Sequence, residues 1–145
     1  MKKLLLLLSF AMLCLLAACS SKTAEPDASL APEQPMMQIE TDYGAITYPA
    51  EWKEDLIVDE SQQENGVTLV LSTEVDGTKY ELFKVSIGEG PGERYGTVTT
   101  PDGTEQPVFI DIHELPDLSA LSTEDQDRLY GMQEGVNDVI SALNH

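Results

Sequence analysis

Residues 67–87 read Val67-Thr68-Leu69-Val70-Leu71-Ser72-Thr73-Glu74-Val75-Asp76-Gly77-Thr78-Lys79-Tyr80-Glu81-Leu82-Phe83-Lys84-Val85-Ser86-Ile87. Two runs rich in β-branched and aromatic residues flank an Asp-Gly pair. Such runs favour strands, and Asp-Gly readily takes the positive φ angles of a tight hairpin turn. The stretch is therefore read as one antiparallel hairpin, Val67–Val75 against Thr78–Ile87. Two similar signals surround it. Asn65-Gly66 separates Leu56–Ser61 from Val67–Thr73, and Asp102-Gly103 separates Tyr95–Thr100 from Thr104–Ile112. With Ile39–Thr41 and Ala45–Tyr48 these segments predict an antiparallel meander of six or seven strands.

The alternation assigns side chains to faces. Counted straight across the Asp76-Gly77 turn, Val67, Leu69 and Leu71 share a face with Tyr80 and Leu82. Val70, Phe83, Val85 and Ile87 fall on the other, and Val108, Ile110 and Ile112 form a further alternating set. A sheet apolar on both faces needs cover on both. A helix is expected over one face. The N-terminal segment, a long loop or a partner protein is expected over part of the other.

The covering helix is C-terminal. Ser122-Thr123-Glu124-Asp125 has the form of a capping box, with Ser122 as N-cap. Leu129, Met132, Val136, Val139, Ile140 and Leu143 then recur at helical spacing, one stripe of about six turns. Gly131 and Gly135 lie within it, four apart, which predicts either close packing against a strand or a weakened helix. In Tyr48-Pro49-Ala50-Glu51-Trp52 the proline suits the first turn of a short helix, and Trp52 is read as a core anchor beneath it. The fold class expected is α+β: a meander sheet packed by a long C-terminal helix and a short N-terminal one.

The start of the chain has a different character. Lys2 and Lys3 precede an apolar run from Leu4 to Ala18, the form of a secretory signal and shorter than the ~20 residues of a comfortable bilayer span. Leu16-Ala17-Ala18-Cys19 resembles the bacterial lipobox. That resemblance implies cleavage before Cys19 and a thioether-linked diacylglycerol on its thiol. Residues 1–18 are thus expected to be a signal peptide, and 19–37, with three prolines and no period, a lipidated N-terminus and flexible tether. Residues 38–145 are expected to be one globular domain. The expected location is the extracytoplasmic face of a cell membrane, held through the lipid on Cys19.

Composition narrows the function. All 26 acidic residues but only six of the eight Lys and Arg follow Ala18, so that part carries a formal net charge of −20. This argues against nucleic acid as a partner, since binding it relies on basic patches. No cysteine follows Cys19, which removes disulfides and thiol chemistry from the domain. Catalytic signatures are missing: no Gly-x-Ser-x-Gly elbow, His-Glu-x-x-His helix or phosphate-cradling loop occurs. No catalytic, cofactor-binding or metal residue is assigned, no cofactor is expected, and the chain is not expected to be an enzyme.

Several residues carry groups capable of chemistry. His113 beside Glu114 is read as a strand-end histidine rather than a metal or proton-transfer pair, and His145 as a frayed terminus. Asp125 and Asp127 have the opening spacing of a calcium loop, but Leu129 and Tyr130 occupy the next positions and break it. Glu51, Glu54, Asp55, Asp59 and Glu60 are read as a solvated face. The glycine-rich segment Gly88-Glu89-Gly90-Pro91-Gly92-Glu93 is the first candidate for a contact surface, against the plainer reading of a connector.

The stretch from Tyr43-Gly44 through Tyr48-Pro49-Ala50-Glu51-Trp52, with Glu81-Leu82-Phe83 and Leu121–Asp127, resembles a family of small lipoproteins from Gram-positive gut anaerobes. That resemblance implies no activity. The Tyr-Pro-x-x-Trp turn, meander and C-terminal helix are also similar to the Mog1/PsbP-like fold, whose members bind proteins and assist assemblies. The functional expectation is a membrane-anchored binding or accessory module for an envelope protein. A small-ligand or cation binder is the alternative, and a cell-wall hydrolase a further one.

Overall fold

The computed structural model describes residues 34–144. The expected signal peptide Met1–Ala18, the lipidation site Cys19, the tether as far as residue 33 and His145 lie outside the described residues. What is described is α+β and mostly sheet. Seven strands come first: β1 (Met36–Thr41), β2 (Gly44–Pro49), β3 (Leu56–Gln63), β4 (Gly66–Val75), β5 (Thr78–Ile87), β6 (Glu93–Thr99) and β7 (Glu105–Ile112). Two helices follow, α1 (Thr123–Glu134) and α2 (Val136–Ser141). Met36 and Met37, assigned from sequence to the tether, already belong to β1, and Met37 packs on the core.

The strands do not form one meander. β1 and β2 make a two-stranded sheet of their own, and the rest form a five-stranded antiparallel sheet in the order β3-β4-β5-β7-β6. β7 is inserted between β5 and β6. The reason lies in side-chain character. Val108 and Ile110 of β7 are buried opposite Ile87 and Val85 of β5, whereas β6 offers the exposed Glu93, Arg94 and Thr99. The more apolar strand takes the interior place and the more polar one the edge.

The face assignment is also corrected. Val67, Leu69 and Leu71 pair directly with Ile87, Val85 and Phe83, so both sets share one face. The register shifts between Leu71 and Ser72: Leu71 opposes Phe83, Ser72 opposes Glu81, and Leu82 is the extra residue. One bulged residue inverts every later side chain relative to a straight count. The inner face therefore collects all six residues, together with Val108 and Ile110, and all are almost fully buried. The outer face carries Thr68, Val70, Ser72, Lys84, Ser86, Phe109 and Asp111 and is far more polar.

The turns behave in two ways. Asp76 (φ 51°) and Gly77 (φ 75°) both take the left-handed region, as a type I′ hairpin requires. Gly66 does not; it is needed because an added Cβ would lie 2.2 Å from the Ile87 carbonyl oxygen.

The helical segment closes the inner face. Ser122 Oγ accepts from the Asp125 amide at 3.1 Å and donates to Asp125 Oδ2 at 2.6 Å, the expected cap. Leu129, Met132, Val136, Val139 and Leu143 are buried as the stripe predicts. The single six-turn helix is instead broken at Gly135, where the chain crosses the indole of Trp52 and a Cβ would fall 2.1 Å from Trp52 Cζ2. Gly131 faces open space. The short helix near Pro49 is a 3-10 turn, Ala50–Trp52, and its Trp52 is buried edge-on to Phe83 with centroids 6.3 Å apart.

Candidate functional site

Three places on the described domain concentrate chemistry. The first is on the outer face of the sheet. Lys84 of β5 and Asp111 of β7 are direct cross-strand partners. The bulge at Leu82 turns Glu81 to the same face, and His113 follows just past the end of β7. Glu81 Oε1 lies 3.2 Å from Lys84 Nζ and 3.0 Å from His113 Nδ1, and Asp111 Oδ2 lies 3.5 Å from His113 Nε2. The four side chains are partly exposed, between 29% and 42%. Both ring nitrogens of His113 thus face carboxylate oxygens, although a neutral imidazole donates from only one. Glu81 Oε1 and His113 Nε2 make no well-angled hydrogen bond, so these contacts are electrostatic rather than directional.

The backbone of His113 ties the cluster inwards. Its N–H donates to the Leu82 carbonyl at 3.3 Å, and its own carbonyl accepts from the Gln133 amide on α1. The cluster therefore joins β5, β7 and α1. His113 is the partly exposed strand-end histidine read from the sequence, and Glu114 is exposed and outside the cluster; the neighbours the sequence does not reveal are Glu81 and Asp111. Among the described residues, no group of three or more His, Cys, Asp or Glu side chains is arranged to hold a metal ion.

The second place is a recess of about 270 Å³ lined by Glu51, Trp52, Asp55, Arg128, Gly131 and Met132. Arg128 spans its mouth. Nη1 donates to Asp55 Oδ1 at 3.2 Å, Nη2 donates to the Glu74 carbonyl at 3.2 Å, and Asp125 lies 3.9 Å away. The guanidinium thereby fastens α1 to the turn that follows Trp52 and to β4.

The third place lies between the β1–β2 turn and the β6–β7 turn, where a cleft of about 370 Å³ is lined by Asp42, Tyr43, Thr100, Pro101, Asp102, Thr104 and Gln106. The Thr100 hydroxyl donates to Asp102 and so does the Thr104 amide; these bonds hold the Asp102 carboxyl below the ordinary aspartate range, the Thr100 bond contributing most. The group is fully exposed and acts as a turn fastener.

The glycine-rich loop has a packing explanation. Gly88 (φ 88°) and Gly92 (φ 102°) occupy the left-handed region, and an added Cβ on Gly90 would lie 2.2 Å from Ser86 Oγ. The loop presses onto the outer face above a satisfied hydroxyl network: Gln63 Nε2 donates to Thr68 Oγ1 at 2.7 Å, and Thr68 and Ser86 share a 2.9 Å bond. It supplies the partial cover expected for the second face. Glu51, Glu54, Asp55, Asp59 and Glu60 are exposed, with Asp55 paired to Arg128 and Asp59 to Lys79. No family model, curated protein or solved structure matches the chain.

Proposed function

We propose that this chain is an exported lipoprotein, anchored through Cys19 at the extracytoplasmic face of a cell membrane. Its folded domain serves as a binding or accessory module for an envelope protein. The lipobox resemblance of Leu16-Ala17-Ala18-Cys19 supports the anchor; two acyl chains suffice for stable attachment where one does not. The observation that carries the module reading is the shape of the domain. The recesses described above are small and open, Arg128 with Asp55 fastens elements together, and among the described residues the β3 edge of its larger sheet is unpaired. Such a surface suits docking better than enclosure of a substrate. The element order, with Tyr48-Pro49-Ala50-Glu51-Trp52 leading from a hairpin into a sheet backed by a C-terminal helix, supports kinship with the Mog1/PsbP-like fold and, by analogy, an assembly role.

The test is cross-linking in cells, native protein against Cys19→Ala. The reading expects a reproducible envelope partner that is lost, with the membrane association, in the variant. Cross-links confined to the protein itself would remove it. A small-ligand binder is the second reading, favoured by the recess over Trp52 and Met132; calorimetry with candidate ligands, comparing the native chain with Met132→Ala, distinguishes it.

A further inference from the structure

The five-stranded sheet ends differently on its two sides. At β6 the chain covers part of its own edge. Thr97 and Asn144 exchange backbone hydrogen bonds of 2.9 and 3.0 Å, and Leu143 and the Asn144 carbonyl lie against Gly96. At β3, the other edge, Leu56–Gln63 pairs with β4 through eight consecutive positions without a shift. None of the described residues pairs with its outer side. Alternate backbone N–H and C=O groups along that side are turned away from the sheet, the arrangement that templates another strand.

This edge is chemically marked. Asp59–Gln63 are exposed, Asp59 and Glu60 sit at its centre, and Glu64 stands in the adjoining turn. No basic residue occurs between Leu56 and Val67. A second copy pairing antiparallel along the full strand would place Asp59 opposite the other copy's Glu60, twice. Like charges directly opposed destabilise a strand pair, and the strong net negative charge adds to the repulsion. A strand carrying Lys or Arg at those positions meets attraction instead.

We propose that the outer edge of β3 is the docking site of the envelope partner, which adds an extended basic segment as a sixth strand. The inference rests on the accessory-module reading and names its site and chemistry. Backbone hydrogen bonds along 56–63 supply the affinity. Glu60 and the neighbouring Glu64 supply the selection for basic side chains, since Asp59 is already paired to Lys79 of β5.

The first test uses the full-length protein in detergent and two fluorescent peptides of equal charge. One alternates lysine with valine over seven residues; the other has proline for each valine and lacks those N–H donors. The lysine–valine peptide is expected to bind at least about tenfold tighter. Hydrogen exchange is expected to slow within 56–63 and not across the rest of the sheet. Glu60→Lys, an exposed change, is expected to abolish that binding and to admit the corresponding glutamate–valine peptide. Equal binding of the two basic peptides, or protection elsewhere, overturns the proposal as mere attraction to an acidic surface.

The second test separates the two readings in cells. A photo-reactive residue replaces Gln62 on the edge or Asn137 on the exposed side of α2. Capture at 62 of an envelope protein, through a segment bearing Lys or Arg and lost in Glu60→Lys, supports the edge. Capture at 137 alone overturns the edge and leaves the accessory module standing. Capture at neither overturns the edge and leaves the accessory module to the whole-protein cross-linking above, and capture of a second copy at 62 overturns the basic partner.

Discussion

Glu81 and Lys84 stand three residues apart in one strand, yet Glu81 Oε1 lies 3.2 Å from Lys84 Nζ. In a regular strand residues three apart face opposite sides of the sheet. The pair exists because Leu82 is an extra residue between them, and the same bulge brings Phe83, Val85 and Ile87 under Leu71, Leu69 and Val67. One insertion thus serves the core on one face and the polar cluster on the other.

Leu82 is fully buried at this bulge. Leu82→Ala is expected to destabilise the domain by about 2–5 kcal/mol, through lost burial and the cavity left behind. Glu81→Gln, at a carboxylate 38% exposed, is expected to cost no more than about 1 kcal/mol. Urea denaturation of the two variants compares them; a larger cost for Glu81→Gln would mean that the polar cluster, rather than the core, fixes the register.

The two helix glycines are expected to respond with opposite signs. A methyl at Gly131 enters open space, so Gly131→Ala should stabilise by about 0.5–1 kcal/mol. At Gly135 it meets the Trp52 ring, so Gly135→Ala should destabilise by about 1–3 kcal/mol. Thermal unfolding of both variants checks this, together with a change in Trp52 fluorescence confined to Gly135→Ala.

Thr73 is fully buried and its hydroxyl has no hydrogen-bond partner among the described residues. Thr73→Val keeps the shape and the strand preference while removing the stranded polar atom. The expected gain is about 1 kcal/mol in chemical denaturation. A loss would reveal that an ordered water or neighbour satisfies the hydroxyl.

Asp102 titrates below its ordinary value of 3.8 because the bonds from Thr100 and Thr104 favour the carboxylate. A lowered carboxyl pKa stabilises the fold above the unfolded value, and that contribution disappears as pH falls through the folded one. The effect therefore belongs to the region below about pH 4 and leaves neutral pH untouched. Thr100→Val is expected to raise the Asp102 pKa towards 3.8, read from the carboxyl carbon shift by NMR. No movement would assign the shift to Thr104 alone.

Much of the architecture is legible in local chemistry. Asp76-Gly77 and the Ser122 cap each state their geometry within a few residues, and the structure reproduces them; the stripe from Leu129 to Leu143 states which side chains are buried, though not the break at Gly135. What is not legible depends on partners distant in the chain. The Leu82 bulge leaves the composition of β5 unchanged and only alters what it faces. The insertion of β7 between β5 and β6 follows from a comparison of Val108 and Ile110 with Glu93 and Arg94 that no single strand contains. The cluster at His113 is hidden for the same reason: its neighbour in sequence, Glu114, is not its neighbour in space, and Glu81 arrives there only through the bulge. The glycines of 88–92 read as looseness, whereas their surroundings make them a close-fitting clasp.

The bond pair between Thr97 and Asn144 also orders events during biosynthesis. Asn144 is made after every strand, so a growing chain can zip β3, β4 and β5 through their short turns while β6 still waits for its neighbour. Until the segment carrying Asn144 emerges, the β6 margin of the sheet is exposed as well as the β3 one, and a chain in that state is at its most vulnerable to pairing with its fellows. Arrival of Leu143 and Asn144 on β6 is thus the step that covers that margin at Thr97 and leaves β3 as the open edge of the five-stranded sheet among the described residues.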